Sequence, residues 1–221
     1  MGLETTIEMP QKPILSESSE WLDPVAVLCC ANKSPYHGMP GVECYDKRRD
    51  VRTFDGGMKI VAHPPCRAWS AYCKHQAKPE HGEKELGPLC VEWLRKCGGV
   101  LEHPAHSRLF DECNLPKPGW TVGWNHGEMP IWSTEVLQGW WGDTRSKTTW
   151  LCFFGLTFQD VRVPFRFVDP AGDRRRWQLM SKQQRSATHP AMAEWLVQHA
   201  RLAKGSNDPA MPTASDRRPL T

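Results

Sequence analysis

The chain has 221 residues, 28 Lys+Arg against 25 Asp+Glu, and a formal net charge of +3. That length suits one α/β domain with short tails, and 39% hydrophobic residues with 11 Trp supply a core. The composition excludes whole-chain disorder, no run approaches the ~18 apolar residues of a membrane span, and the mildly basic balance permits nucleic-acid binding without demanding it. No membrane partner is expected. The opening segment carries acids and prolines and no apolar signal core, so a cytoplasmic protein is expected. Nine Cys, an odd number without framework spacing, read as reduced thiols.

Residues 1–23 and 203–221 are polar, Pro-containing and aperiodic, and read as flexible tails around a body at 24–202. In the body, Val25–Ala31 is a short apolar run that suits a buried strand. Gly41–Asp46 is a second candidate strand, and Met58–His63 a third that stops at Pro64-Pro65. Leu86, Leu89, Cys90, Trp93, Leu94 and Cys97 recur at helical spacing and halt at Gly98-Gly99. Val100–His103 restarts as a strand before Pro104, and Thr149–Phe154 is another. Met192, Trp195, Leu196 and His199 mark a last helix with Pro190 near its first turn. This alternation predicts an α/β fold with a parallel or mostly parallel sheet, whose ligands lie beyond the carboxyl ends of the strands.

Two strand ends stand out. The third strand leads into His63-Pro64-Pro65-Cys66, where two prolines force a stiff loop that presents a thiol, as a nucleophile requires. The next leads into Glu102-His103-Pro104, a carboxylate before a rigid turn. A Cys after a Pro turn is also met as a packed core thiol, and a strand-end Glu as a surface charge. The occurrence of both at matching positions on strands joined by one crossover points to a shared cleft. Asp46 or Glu43, at the end of the second strand, is placed to take ribose hydroxyls. His63, Cys66, Cys73, His75 and His81 lie near one another, but their intervals do not match the short hook of zinc sites. No metal is expected.

Pro65-Cys66, Glu102-His103, the segment Gly142–Thr149 and the helix opening Arg185–Glu194 occur in an order that resembles the cytosine-C5 DNA methyltransferase family. The likeness is closest to its short phage-type members with a His-Pro-Pro-Cys loop. The resemblance implies a Rossmann-like methyltransferase sheet in a single domain, in a bacterial or phage-infected cell. It implies S-adenosylmethionine as methyl donor, with Pro64 beside Glu43 and Asp46 at the cofactor. Cys66 would add to C6 of a cytosine in DNA, and Glu102 would share a proton with ring N3. Lys147, at the first Arg position of the family's basic segment, would hold the pyrimidine O2 or a phosphate, with Arg145 nearby. His103 stands where the family has Asn.

Two features depart from the family. Its Gly-rich loop after the first strand is absent, and the stretch from Ala31 to Gly41 has little room for a helix. Its large target-recognition domain is replaced by the interval from Leu156 to Met180, so no sizeable recognition domain is expected. That interval holds Arg174, Arg175 and Arg176, and basic residues interleaved with aromatics suit phosphate contact and base stacking. Arg67, Trp69, His103, Trp141 and Arg145 complete the expected nucleic-acid surface, and the expected partner is DNA, single-stranded or distorted. Two other readings stay open. One is a non-catalytic nucleic-acid-binding relative that has lost the cofactor site. The other is a pyrimidine-nucleotide-modifying enzyme with a different one-carbon donor.

Overall fold

The structure, a computed structural model, describes residues 22–70, 78–119, 129–143, 147–166 and 187–206. In chain order the elements are β1 (Val25–Leu28), β2 (Val42–Tyr45), β3 (Lys59–Ala62), α1 (Leu86–Cys97), β4 (Gly99–Pro104), α2 (Leu109–Glu112), β5 (Ile131–Leu137), β6 (Thr148–Phe154) and α3 (Pro190–Leu202). Six strands form one sheet in the order β2-β1-β3-β4-β6-β5. The run from β2 to β4 is parallel, while β6 is antiparallel to both β4 and β5. The sheet is therefore mixed. Residues 149–154 form a strand, as the sequence predicts, but one that runs against its neighbours. The cause is the connection from β5 to β6, only residues 138–147, which is short enough for antiparallel neighbours and too short for a helical crossover.

Strand alternation sorts the core into two layers. Ala26, Leu28, Ile60, Ala62 and Leu101 face one side, where Cys90, Val91 and Leu94 of α1 cover them. Val25, Val27, Val61 and Val100 face the other, beneath Met192, Leu196, Val197 and Ala200 of α3. Burial of both faces explains why these strands read as continuous apolar runs. Helix α1 ends where Gly98 takes φ 79°, a conformation that disfavours a Cβ. Gly99, at φ 137°, then starts β4 so close to β3 that a Cβ would lie 1.9 Å from the Ile60 carbonyl oxygen. Helix α3 opens with Pro190 in its first turn, and the His189 side chain accepts from the Ala191 amide at 3.3 Å.

β1 stops three residues short of the predicted run because Cys29 turns the chain at φ 59°. The connection from β1 to β2 contains no helix. It folds as tight turns, with amide bonds from Ser34 to Ala31 O, His37 to Ser34 O and Met39 to Tyr36 O. In the parallel part of the sheet the order reverses between β1 and β3. In a doubly wound sheet this switch point leaves a crevice at the carboxyl ends.

Candidate active site

The register of β3 and β4 pairs Ala62 with Leu101, so the next residues lie side by side: His63 just past the end of β3, and Glu102 within β4, which runs on to Pro104 against β6. His63 Nδ1 lies 3.1 Å from Glu102 Oε2, and the other ring nitrogen lies 2.7 Å from the Tyr36 hydroxyl. After His63, Pro64 and Pro65 carry the chain into a single 3-10 turn at Cys66–Ala68. The Trp69 and Ser70 amides both donate to the Cys66 carbonyl, at 3.0 and 2.9 Å, and hold the turn. The Cys66 side chain is exposed, as a nucleophile must be to meet a substrate. Arg67 ties the same turn to the segment before α1. Its Nε and Nη2 donate to Glu83 Oε1 at 2.9 and 2.7 Å, and Nη2 also reaches Glu80 Oε1 at 2.9 Å.

Glu102 is 6% exposed. Burial pushes its carboxyl up, but the Lys147 ammonium and the His63 hydrogen bond outweigh that effect and hold it well below the usual carboxylate range. Lys147 Nζ stands 3.5 Å from Oε1, and Gln138 Nε2 donates to the same oxygen at 3.1 Å. Both residues come from the β5–β6 connection, whose base is closed by the Gln138 amide on the Lys147 carbonyl. Three donors occupy three of the ~4 lone-pair positions of a carboxylate, which leaves it able to accept one more hydrogen bond. The arrangement is an ionised, oriented acceptor beside a rigid loop that presents a thiol.

The structure thus brings Glu102 and Lys147 together and sets Cys66 in the turn that follows the neighbouring strand β3. His103, on the opposite face of β4, is 1% exposed, and neither ring nitrogen has a hydrogen-bond partner among the described residues. Burial lowers it to about 4, so the ring is neutral. The Pro64 carbonyl lies near enough to favour a proton on that ring without reaching hydrogen-bond geometry. Trp69 is buried against α1, where Gly87 leaves room for its indole nitrogen, and Trp141 packs edge-on to Trp195 at 5.1 Å. Neither ring has a free face for a base in this conformation. Glu43 is engaged by Arg49 at 2.6 Å, and Asp46 Oδ1 accepts from the Arg48 and Arg49 amides at 2.7 and 3.1 Å. Arg145, Arg174, Arg175 and Arg176 lie outside the described residues.

Two partners of Glu102, His63 and Gln138, the Tyr36 hydroxyl behind His63, and a second cluster were not assigned to the site from the sequence. His63 was legible only in the Pro loop and among the dismissed metal ligands, whereas Tyr36 and Gln138 carry no local signal, because strand register and loop return bring them in. The second cluster joins Cys30, His37 and Cys44 at the ends of β1 and β2. The Cys30 thiol donates to Cys44, which lowers Cys44 to about 7 and raises Cys30. No known protein family, curated protein or solved structure matches the chain.

Proposed function

We propose that the cleft beyond β3 and β4 activates a pyrimidine base, most naturally cytosine in DNA, by covalent addition of Cys66. The observation that carries this reading is the buried Glu102 carboxylate of β4, oriented by His63, Gln138 and Lys147 next to the end of β3 that leads into the Cys66 loop. A cytosine ring resists attack at C5 until a nucleophile has added at C6. Glu102 would accept from the exocyclic amino group and draw a solvent proton onto N3, which makes C6 electrophilic. The Cys66 thiolate then forms the S–C6 bond, and the ring electrons move to C5. Lys147, which lies 3.5 Å from Glu102 Oε1, would offset negative charge on the pyrimidine O2. The reversal of strand order between β1 and β3 supports a Rossmann-like reading of the parallel part of the sheet.

S-adenosylmethionine, which the family resemblance implies, fits this conformation poorly. Glu43 and Asp46 are both committed to bonds within the β2 edge, and the β1–β2 connection forms no helix N-terminus for a cofactor. This favours the reading in which the same Cys chemistry serves a different one-carbon donor. Activation alone can be assayed without any donor. The adduct takes a solvent proton at C5, loses the original hydrogen as a proton, and expels the thiolate. Incorporation of deuterium at C5 of an oligonucleotide cytosine, or of dCMP, is the expected result in D₂O. Loss of that exchange in Cys66→Ser with an unchanged Tm supports the reading. Equal exchange in that variant overturns it.

A further inference from the structure

We propose that Cys30, His37 and Cys44 form a zinc site at the carboxyl edge of β1 and β2, with Asp46 closing the fourth position. The three ligand atoms lie within 4.8 Å of one another. Cys30 Sγ is 3.4 Å from Cys44 Sγ and 3.8 Å from His37 Nε2. A tetrahedral zinc ion with Zn–S of about 2.3 Å and Zn–N of about 2.0–2.1 Å would set those edges near ~3.8 and ~3.6 Å. The two edges that meet at Cys30 therefore lie within a few tenths of an ångström of tetrahedral spacing, and the third, between Cys44 and His37, is within 4.8 Å. Asp46 Oδ2 lies 4.0 Å from His37 Nε2. Its other oxygen is anchored on the Arg48 and Arg49 amides, which aims Oδ2 at the cluster. Two thiolates and one imidazole select zinc over the oxygen-loving cations.

The fold builds the site by topology. The intervals are Cys-x6-His-x6-Cys, with no short hook for a sequence reading to find. Cys29 turns the chain at φ 59°, and the Cys30 amide then donates to the Tyr45 carbonyl at 2.8 Å, which holds Cys30 beside β2. The successive turns from Ala31 to Met39 bring His37 back over both thiols. His37 Nε2 also lies 3.2 Å from the Ala31 carbonyl, so ligation requires the imidazole proton to sit on Nδ1.

The position gives the metal a role. Tyr36, which precedes His37, is buried, and its hydroxyl meets His63, which in turn meets Glu102. An ion on His37 would fix the helix-free β1–β2 connection and, through Tyr36, the orientation of the strand-end histidine. It would act as a staple for the cleft and not as a participant in the chemistry.

The test is a Co²⁺ titration of the reduced, metal-stripped full chain, followed by Zn²⁺ displacement. One equivalent of Co²⁺ should give the visible bands of a tetrahedral site and a thiolate-to-cobalt band in the near ultraviolet, and Zn²⁺ should abolish both. Zn²⁺ should also raise Tm by mass action. Cys30→Ser, Cys44→Ser and His37→Ala should each remove the tetrahedral signature, while Cys66→Ser and Cys113→Ser retain it. Asp46→Asn should weaken affinity ~10–100-fold, and full affinity in that variant removes Asp46 from the site. Should a ligand variant fail to fold, the wild-type titration still decides. No tetrahedral band and no Tm rise with thiols verified as reduced overturns the proposal. So does a band that survives Cys44→Ser, or one that vanishes in Cys66→Ser and so moves the metal to the Pro loop.

Discussion

His103 gives the sharpest stability prediction. It is 1% exposed and neutral, its pKa is lowered to about 4 from an ordinary 6.5, and both ring nitrogens are unpartnered among the described residues. Burial is the main cause, with Lys147 and His63 adding to it and Glu102 opposing it. In the unfolded chain the same imidazole takes up a proton as pH falls through 6.5, whereas the folded protein resists until about 4. The unfolded state thus binds more protons throughout that window, so stability falls with falling pH, by ~1.4 kcal/mol per unit and ~3 kcal/mol in all. His103→Leu removes the titration and the unsatisfied ring nitrogens together. Replacing an unpaired buried polar group by an apolar one of similar size is neutral or stabilising at neutral pH. Urea unfolding at about pH 7 and about pH 4.5 should show the variant gaining ~2–3 kcal/mol on the wild type across that range. His199, also held low by burial, titrates in both proteins and cancels. Parallel stability curves for the two proteins would refute the buried, neutral placement of His103.

Other consequences follow from single contacts. Gly99→Ala would drive a Cβ into the Ile60 carbonyl, so it should cost at least ~3 kcal/mol in a urea melt; a loss under 1 kcal/mol would contradict the β3–β4 register. Glu102→Gln should lower C5 exchange by ~10²–10⁴. Glu102 has a folded pKa below its ordinary 4.5, so its contribution to stability is complete above that value and lost only as pH falls further. The wild type should therefore show a second, more acidic stability loss that Glu102→Gln lacks; identical acid limbs would contradict the ionised carboxylate. Replacing Arg174, Arg175 and Arg176 by Ala should weaken DNA binding equally across sequences and reduce the slope of log K against log salt by ~2–3. An unchanged slope would remove the three arginines from the nucleic-acid surface.

Local signals carried much of the fold. The apolar run of β1, the Gly98-Gly99 stop after α1 and Pro190 at the start of α3 each act within a few residues, and each falls where the sequence puts it. Strand direction was not legible at Thr148–Phe154, because an apolar run looks the same whichever way its neighbours point. β5 was missed because Ile131 and Trp132 are buried in succession and its centre is half-exposed, which breaks the two-residue alternation. Cys66 was readable as a residue presented by a rigid turn after a strand, and Glu102 as a candidate beside it, although β4 runs through Glu102 to Pro104 instead of ending there, because β6 pairs with it along that length. Their companions were not: His63 and Gln138 converge on Glu102, and Tyr36 on His63, through register and loop return, over separations of 36 residues or more between Glu102 and either His63 or Gln138. Cys30, His37 and Cys44 meet for the same reason.

The central claim is that Cys66 attacks C6 of a pyrimidine, and an adduct tests it most directly. A single-stranded oligonucleotide carrying one pyrimidin-2-one base, whose C6 accepts thiolates more readily than that of cytosine, is incubated with the reduced full chain. The intact mass is then measured and the adduct mapped by peptide sequencing. The account predicts one oligonucleotide per chain, attached at Cys66, absent in Cys66→Ser and strongly reduced in Glu102→Gln. An adduct on any other cysteine, or none on a chain shown to bind the oligonucleotide, would contradict it.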